Sequence, residues 1–268
     1  MSERDRAAAS PFPDAFGPNF AVEDRDDDPA WIGVPGLGSP EVLAARVEHA
    51  RTAIGGIGTS AREIRAVAST VALGLFSRLL SPFVGAAVAQ VDGPVPDPGS
   101  IWLRPVDEGP IRMATAAPRV PADPEGALDA LVLPLVARFA DQFLLSRQVL
   151  IGDVAAAVVG ACEVVVYASP DLSEAADDVR ARLLTLPLLA GSGNPRGPFV
   201  RTSCCLIYQL PMHYICGNCV LVHSGSDLVR RREDDVAGSP GFRERFREQL
   251  EAAERTRTWG AQDESPPR

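Results

Sequence analysis

The sequence predicts a mainly helical α+β protein that carries one small β-hairpin and a carboxy-terminal segment rich in cysteine. Three observations lead to this fold class. Apolar residues recur at helical spacing through most of residues 39–198, and they alternate at the spacing of strands only near residues 100–115. Four of the five cysteines then lie between positions 204 and 219. With 268 residues, of which 46% are hydrophobic, the chain is long enough for one large domain or two small ones.

The first elements follow from the composition of the amino-terminal region. Residues 1–38 are predicted to form a mobile arm, because they are acidic, rich in proline and show little periodicity. Four aromatic residues could dock part of this arm on the body: Phe12, Phe16, Phe20 and Trp31. The helical body, residues 39–198, begins at Ser39-Pro40-Glu41, where a capping residue, a proline and an early acid mark a helix start. This helix is expected to run to about Ile54 and to stop at Gly55-Gly56.

A second helix begins at Ser60, where Glu63 completes a capping box. Its apolar residues keep the helical spacing as far as Pro82, and this proline is expected to interrupt the helix. A short apolar helix over Phe83–Gln90 is expected to follow. The sequence therefore predicts two consecutive helices between residues 60 and 90.

The rest of the body combines one hairpin with further helices. Residues 100–115 alternate around a turn at 107–110, which predicts the β-hairpin. Long helical patterns cover about Glu125–Ser146, where Pro134 is expected to introduce a kink, and Gln148–Ser169. The remaining divisions are a short helix, a loop, a cysteine segment, a last helix and a polar tail, predicted at Ser173–Leu184, 191–198, 199–225, 239–256 and 257–268.

Charge and targeting signals exclude several classes of protein. The formal net charge is −9, which disfavours nucleic acid as a partner. The amino terminus is charged and has no apolar core of a signal peptide, so a reducing, cytoplasmic location is expected. The two most apolar stretches, Ala66–Val91 and Gln148–Ala168, are interrupted by charges or proline, and no membrane span is expected.

The spacing of the clustered cysteines points to a metal centre. Cys216-x2-Cys219 is the spacing at which a tight turn directs two thiolates at one metal, whereas Cys204 and Cys205 are adjacent. In a strand such neighbours face opposite sides, and in a helix they diverge by about 100°. A [2Fe–2S] cluster tolerates this better than a single zinc ion, because its two irons are each bound by two thiolates.

Two alternatives to the iron–sulfur cluster remain on these grounds. A structural zinc ion is usually held by paired knuckles, and His213 or His223 could replace the missing half. Inert buried cysteines are the other alternative, and the density of cysteine in this segment argues against it. Cys162, isolated in an apolar helical pattern, is instead expected in the core.

The pattern Cys-Cys-x10-Cys-x2-Cys resembles the signature of the FhuF-type ferric siderophore reductases. The flanking Arg201, Ser203, Tyr208, Pro211 and Gly217 agree with it, and a weaker likeness extends over about residues 40–225. The resemblance assigns the four ligands of a [2Fe–2S] cluster to the four clustered cysteines, Cys204, Cys205, Cys216 and Cys219.

The resemblance implies a cytoplasmic oxidoreductase that transfers one electron to a ferric siderophore, most readily of the hydroxamate type, and releases Fe(II). It also implies an external electron donor such as a ferredoxin or a reductase, because the sequence has no flavin or nicotinamide fingerprint. Two alternatives stay open. One is a [2Fe–2S] electron carrier or redox sensor that acts on a protein partner, and the other is a zinc-stabilised, siderophore-related binding protein.

The sequence departs from the family pattern at a few positions, and other residues attract attention by their chemistry. Asn218 stands where an aspartate is common, and Asp153 where an asparagine is common. Arg104 and Arg147 are conceivable contacts for an anionic chelate, on the basis of charge alone. Tyr208 is expected to pack rather than to bind the chelate.

Overall fold

The computed structural model describes residues 16–54, 60–105, 111–210 and 215–223. Within these ranges a π-helical stretch, Leu128–Val132, separates α4 from α5. The α-helices are α1 (Val34–Leu37), α2 (Pro40–Ala53), α3 (Ala61–Ala89), α4 (Pro124–Ala127), α5 (Leu133–Phe143), α6 (Arg147–Ala168), α7 (Ser173–Leu184) and α8 (Val220–His223). The strands are β1 (Glu23–Asp24), β2 (Ile32–Gly33), β3 (Asp92–Gly93), β4 (Ile101–Arg104), β5 (Arg112–Thr115) and β6 (Val120–Pro121).

The core is built around α3 and α6, which pack against each other along their length. Both helices are apolar on nearly all sides, as expected for helices surrounded by protein. Helices α2, α5 and α7 cover them. The predicted fold class, a mainly helical α+β protein, is confirmed.

Length and composition alone would allow α3 and α6 to cross a membrane. In the fold, however, most residues of their most apolar stretches are buried, 72% in α3 and 61% in α6. The core helices of soluble proteins have the same properties, so these two helices are only weak evidence for a membrane protein.

Helix α3 begins as predicted but does not stop at Pro82. Ser60 accepts a hydrogen bond from the Glu63 amide, and the Glu63 side chain accepts one in return from the Ser60 amide, which completes the capping box. The helix then continues through Pro82 to Ala89, so the predicted interruption is wrong. Pro82 and its neighbours are buried, and this packing outweighs the loss of one helical hydrogen bond.

Pro134 also acts differently from the predicted kink within one long helix. The stretch from Pro124 to Phe143 is divided, because the π-helical turn of Leu128–Val132 comes directly before the proline. Pro134 itself lies in the first turn of α5, where a missing amide hydrogen costs little. Helix α5 ends at Leu144, which has a positive φ of 52°. Helices α6 and α7 begin and end within one residue of the predicted positions.

The predicted hairpin is confirmed as the antiparallel pair β4 and β5, with Leu103 opposite Met113. It forms the centre of a four-stranded sheet of order β1-β5-β4-β2, in which β1 is parallel to β5. Ile101 and Leu103 face the core, whereas Trp102 and Arg104 are partly exposed. The predicted turn at 107–110 lies largely outside the described residues.

The arm predicted over residues 1–38 is not a free arm from Phe16 onward. Phe16 and Phe20 are buried and meet edge to face, with their ring centroids 5.5 Å apart. Arg78 of α3 is buried and donates to the carbonyl oxygens of Asn19 and Ala21, at 2.7 and 2.5 Å. Phe16 and Phe20 thus dock part of the arm, as was expected to be possible, and the charged hydrogen bonds of Arg78 fix the backbone beside them.

Some predicted features fall outside the described residues: the helix stop at Gly55-Gly56, the helix over 239–256 and the tail over 257–268. The division of the chain into an arm, a helical body and a cysteine segment therefore stays a prediction at both ends of the chain.

Candidate metal centre

The cysteine segment lies against the amino-terminal ends of the two central helices. Ser203 Oγ donates to the carbonyl oxygen of Gln148, at the start of α6, at 3.0 Å. Arg62 Nε, at the start of α3, donates to Gln209 Oε1 at 3.1 Å. The Arg201 amide donates to the Asn218 carbonyl oxygen at 3.1 Å, which joins the two halves of the segment. The amino-terminal ends of α3 and α6 therefore hold the cysteine segment in place.

A buried ion pair joins the segment to both central helices. Arg201 Nη2 donates to Asp153 Oδ1 at 2.7 Å, and the two side chains are only 1% and 0% exposed. The Ser69 hydroxyl of α3 donates to the other carboxylate oxygen, Asp153 Oδ2, at 2.9 Å. Arg201 Nη2 also donates to the carbonyl oxygen of Val149 at 3.2 Å. Arg201, Asp153 and Ser69 thus form one buried network between α3, α6 and the cysteine segment.

Electrostatics within this network depend on burial and on charge pairing. Burial raises the pKa of Asp153 to about 7, and the charge of Arg201 opposes that rise. The pKa of Arg201 is raised, because the attraction of Asp153 and of the Cys205 thiolate exceeds the cost of burial. The guanidinium of Arg201 therefore stays charged, and it interacts both with the carboxylate of Asp153 and with the negative charge of Cys205.

Two glycines allow the segment to approach the body closely. A Cβ atom at Gly152 of α6 would lie closer than 3.0 Å to Ser203 Oγ and 2.8 Å from Arg201 Nη2. A Cβ atom at Gly193 would overlap the ring of Phe199 and lie 2.8 Å from the carbonyl oxygen of Val200. The predicted loop over 191–198 therefore packs closely against the start of the cysteine segment, because Gly193 has no side chain that would clash with Phe199 or Val200.

The four cysteines assigned by the resemblance come together in this segment. Cys205 and Cys219 are buried, and Cys204 and Cys216 are half-buried. Cys205 shares hydrogen bonds with Cys204 and Cys216, and Cys216 shares one with Cys219. The sulfurs thus follow one another in the order 204, 205, 216, 219.

The backbone explains how adjacent cysteines can face one centre. Leu206 has a positive φ of 64°, and its amide donates to Cys204 Sγ at 3.3 Å. This turn supplies the irregular conformation that neither a strand nor a helix offers to neighbouring side chains. A backbone amide that points at a cysteine sulfur is also one of the features by which proteins adjust an iron–sulfur cluster.

The thiol group of Cys205 is more acidic than those of Cys204 and Cys216. Hydrogen bonds from Cys204 and Cys216 lower the pKa of Cys205 to about 3, and the nearby charge of Arg201 acts in the same direction. The pKa values of Cys204 and Cys216 are raised, chiefly because each donates to the Cys205 thiolate. One thiolate is thus already stabilised, and the thiols of Cys204 and Cys216 are in direct contact with it.

These residues fit a [2Fe–2S] cluster better than a single metal ion. Among the described residues, no three side chains of His, Cys, Asp or Glu converge as the ligands of one metal ion would. The four sulfurs instead follow one another in a row, and a cluster that contains two irons needs two thiolates for each iron. The donor set contains sulfur alone, which suits iron–sulfur chemistry.

The other candidate residues lie in different places. Arg147 is exposed, next to Gln148 and hence beside the segment. Arg104 is not near it, because its guanidinium pairs with Asp28 and lies 4.7 Å from the ring centre of Trp31. Tyr208 accepts a hydrogen bond from Gln209 Nε2 at 3.2 Å, and its predicted packing role stays a prediction.

Three further predictions concern the remaining cysteine and the histidines. Cys162 is 3% exposed in the core, as predicted, and burial raises its pKa to about 12. His213 lies outside the described residues, and only the backbone of His223 is described. The alternative in which these histidines bind zinc therefore stays untested by the described residues.

The buried network of Arg201, Asp153 and Ser69 was not predicted from the sequence. Its signal was the presence of one carboxylate, Asp153, within an otherwise apolar run from Val149 to Val159. A buried carboxylate requires a partner, and arginine is the residue best suited to pair with it. The sequence offered many arginines, however, and it did not indicate which one reaches this helix.

Replacement of Asn218 by aspartate is expected to lower the reduction potential of the bound cluster. Asn218 is half-buried between Cys216 and Cys219, and a carboxylate there would disfavour the added negative charge of the reduced cluster. An EPR-monitored redox titration of Asn218→Asp measures the shift, with Asn218→Gln as the neutral control. An unchanged potential in Asn218→Asp would contradict this expectation.

Comparison with known families identifies the segment described above. Residues 201–221 match the model of the FhuF 2Fe-2S C-terminal domain, which confirms the resemblance over this segment. No curated protein shows a significant match to the chain. The match includes the buried Arg201 and all four cysteines. Residues 201–221 are therefore similar to a FhuF-type 2Fe-2S domain, and the cofactor that this similarity supports is a [2Fe–2S] cluster.

Proposed function

We propose that this protein is a cytoplasmic ferric-siderophore reductase, which delivers one electron to the Fe(III) of a siderophore and so releases Fe(II). The observation that carries the proposal is the set of four cysteines in a FhuF-type segment, two of them buried and two half-buried. Cys205 and Cys219 form the buried side of this site, and Cys204 and Cys216 form the side that is closer to the surface.

The chemistry of the substrate explains why one electron is sufficient. Siderophores bind Fe(III) through hard oxygen donors, and these donors hold Fe(II) far more weakly. The acceptor gains one electron, the protein loses one, and no covalent bond is made or broken within the ligand. No acid–base residue is required for this step.

The protein's own residues hold the centre and present it. When bound, the cluster supplies one electron at a time to an acceptor at the surface. Cys205 and Cys219 fix it on the buried side, whereas Cys204 and Cys216 lie toward solvent. Arg62 and Arg147 are exposed at the helix ends that support the segment, where they suit an anionic chelate.

The electrons must come from another protein or a small reductant. The sequence contains no nucleotide-binding fingerprint, so a ferredoxin or a separate reductase is proposed as the donor. The alternative of a pure electron carrier shares this requirement and differs only in the final acceptor. The acceptor is therefore what the experiment has to identify.

The test is anaerobic mixing of the reduced protein with a ferric trihydroxamate in the presence of a colorimetric Fe(II) chelator. We expect the cluster absorbance to return to its oxidised form as an equal amount of Fe(II) is trapped, and this to repeat after each re-reduction. The gallium(III) complex of the same trihydroxamate is the matched control, because gallium(III) has the same charge but accepts no electron under these conditions.

Failure of the ferric trihydroxamate to oxidise the cluster would contradict the proposed reductase for hydroxamates. Oxidation by the gallium complex would contradict it as well, since the change would then not come from electron transfer to the metal. Oxidation by a protein acceptor alone would favour the electron carrier.

A further inference from the structure

Arg201 carries one hydrogen-bond donor that the described residues leave unused. Its side chain is 1% exposed, and Nη2 is already bonded to Asp153 and to the carbonyl oxygen of Val149. Its Nε is buried and has no hydrogen-bond partner within the described part of the chain. An unsatisfied buried donor is destabilising, and more so when it belongs to a charged group. A fully buried guanidinium whose Nε–H has no partner among the described residues therefore points to an acceptor that these residues do not provide.

The surroundings of the guanidinium indicate where that partner lies. The Arg201 amide donates to the carbonyl oxygen of Asn218 at 3.1 Å, and Asn218 lies between Cys216 and Cys219. Arg201 also precedes the adjacent pair of cysteines by three residues, so its backbone is tied to both halves of the ligand set. The guanidinium therefore lies beside the centre that the four sulfurs surround.

We propose that the Nε–H of Arg201 donates a hydrogen bond to a sulfur of the bound cluster, and that Asp153 and Ser69 aim the guanidinium at it. A cluster sulfur would thus supply the acceptor that the described residues do not offer to the Nε–H of Arg201. Arg201 stabilises the reduced cluster, which carries one more negative charge than the oxidised form, and so raises its reduction potential.

Asp153 has the opposite effect on the potential. It orients Arg201, but its negative charge offsets part of the positive charge that the cluster experiences. Asparagine keeps an oxygen acceptor for Arg201 and removes the negative charge. Asp153→Asn is therefore expected to raise the potential, whereas loss of the guanidinium is expected to lower it.

The inference rests on the [2Fe–2S] cofactor and not on the reduction of a siderophore, so the two proposals can fail separately. A purely structural role of the pair would loosen the site in both kinds of variant and would not produce shifts of opposite sign. Removal of Arg201 alone would leave Asp153 buried without a positively charged partner, with Ser69 as its remaining described side-chain donor. The guanidinium is therefore removed in the background of Asp153→Asn.

The first arm of the test observes the hydrogen bond directly. Protein grown with arginine that carries ¹⁵N only at Nε is reduced and studied by pulsed EPR. All 26 basic residues of the chain are arginines, so the double variant Arg201→Gln with Asp153→Asn identifies the source of any signal. We expect a ¹⁵N coupling to the reduced cluster in the wild-type protein that disappears in the double variant.

The second arm measures reduction potentials by EPR-monitored titration of cluster-loaded protein. We expect the reduction potential of the Asp153→Asn variant to be higher than that of the wild-type protein. We expect the double variant to lie below Asp153→Asn by at least tenfold in the equilibrium constant for reduction, or about 59 mV for one electron. Absence of the ¹⁵N coupling in the wild-type protein would overturn the proposal, as would two variants whose potentials agree within that limit.

Discussion

Replacement of Cys216 by alanine is expected to abolish binding of the [2Fe–2S] cluster. Cys216 touches both Cys205 and Cys219, so its sulfur connects the adjacent pair to the Cys-x2-Cys turn. Removal of one of four thiolates leaves an iron without its second protein ligand. The loss is expected to be nearly complete rather than graded, because the remaining three cysteines cannot take its place.

Cys162→Ala is the matched control for this prediction. Cys162 is the remaining cysteine of the chain, and it lies in the core of α6 with 3% of its surface exposed. The variant is expected to keep the full cluster, since a buried free cysteine acts as a small apolar side chain. Iron and acid-labile sulfide per chain, after anaerobic reconstitution, measure both variants. Full cluster content in Cys216→Ala, or its loss in Cys162→Ala, would refute the assignment of ligands.

Replacement of Gly152 by alanine is expected to separate the cysteine segment from α6. The added Cβ would lie 2.8 Å from Arg201 Nη2 and even closer to Ser203 Oγ. Both groups are fixed by hydrogen bonds, Arg201 to Asp153 and Ser203 to the Gln148 carbonyl oxygen, so relief of the clash breaks at least one of them. Overpacking of this kind typically costs about 1–3 kcal/mol.

Gly160→Ala on the same helix separates this clash from the helix propensity of alanine. No atom lies within 4 Å of a Cβ built at Gly160, so alanine there is expected to stabilise α6 by up to about 1 kcal/mol. Thermal unfolding and the rate of cluster loss to an iron chelator are measured for both variants. We expect Gly152→Ala to unfold at lower temperature and to lose its cluster faster. Behaviour equal to that of Gly160→Ala would show that the close approach at Gly152 is not needed.

Local signals predicted most of the helical body. Ser39 accepts a hydrogen bond from the Val42 amide at the predicted start of α2, and the capping box of Ser60 and Glu63 opens α3. Caps and helical periodicity are properties of neighbouring residues, so they can be recognised without the fold. Pro82 was misjudged because its cost is also local, whereas the packing that offsets it involves residues distant in the sequence.

The amino-terminal region was predicted only in part. Composition indicated an acidic arm that Phe16 and Phe20 could dock, and both are buried, but the binding of the backbone beside them by Arg78 was not predicted. Three carbonyl oxygens accept from Arg78, and the third belongs to Ile111. A buried arginine that collects backbone carbonyl groups leaves little trace in the local sequence.

The site was predicted in part. The spacing of Cys204, Cys205, Cys216 and Cys219 indicated the ligands, because cluster chemistry restricts both the residue type and the spacing. The buried pair of Arg201 and Asp153 depends on how α6 packs under the cysteine segment, which no local pattern reports. The four candidate ligands could thus be predicted from the sequence, whereas the residues that support them could not.

The most direct test of the central claim is the absorption and EPR spectrum of anaerobically purified protein, recorded before and after dithionite and combined with iron, sulfide and zinc analysis. The account predicts a brown protein with about two irons and two sulfides per chain and an S = 1/2 signal after reduction. A colourless protein that contains one zinc and stays unchanged after anaerobic reconstitution would contradict it.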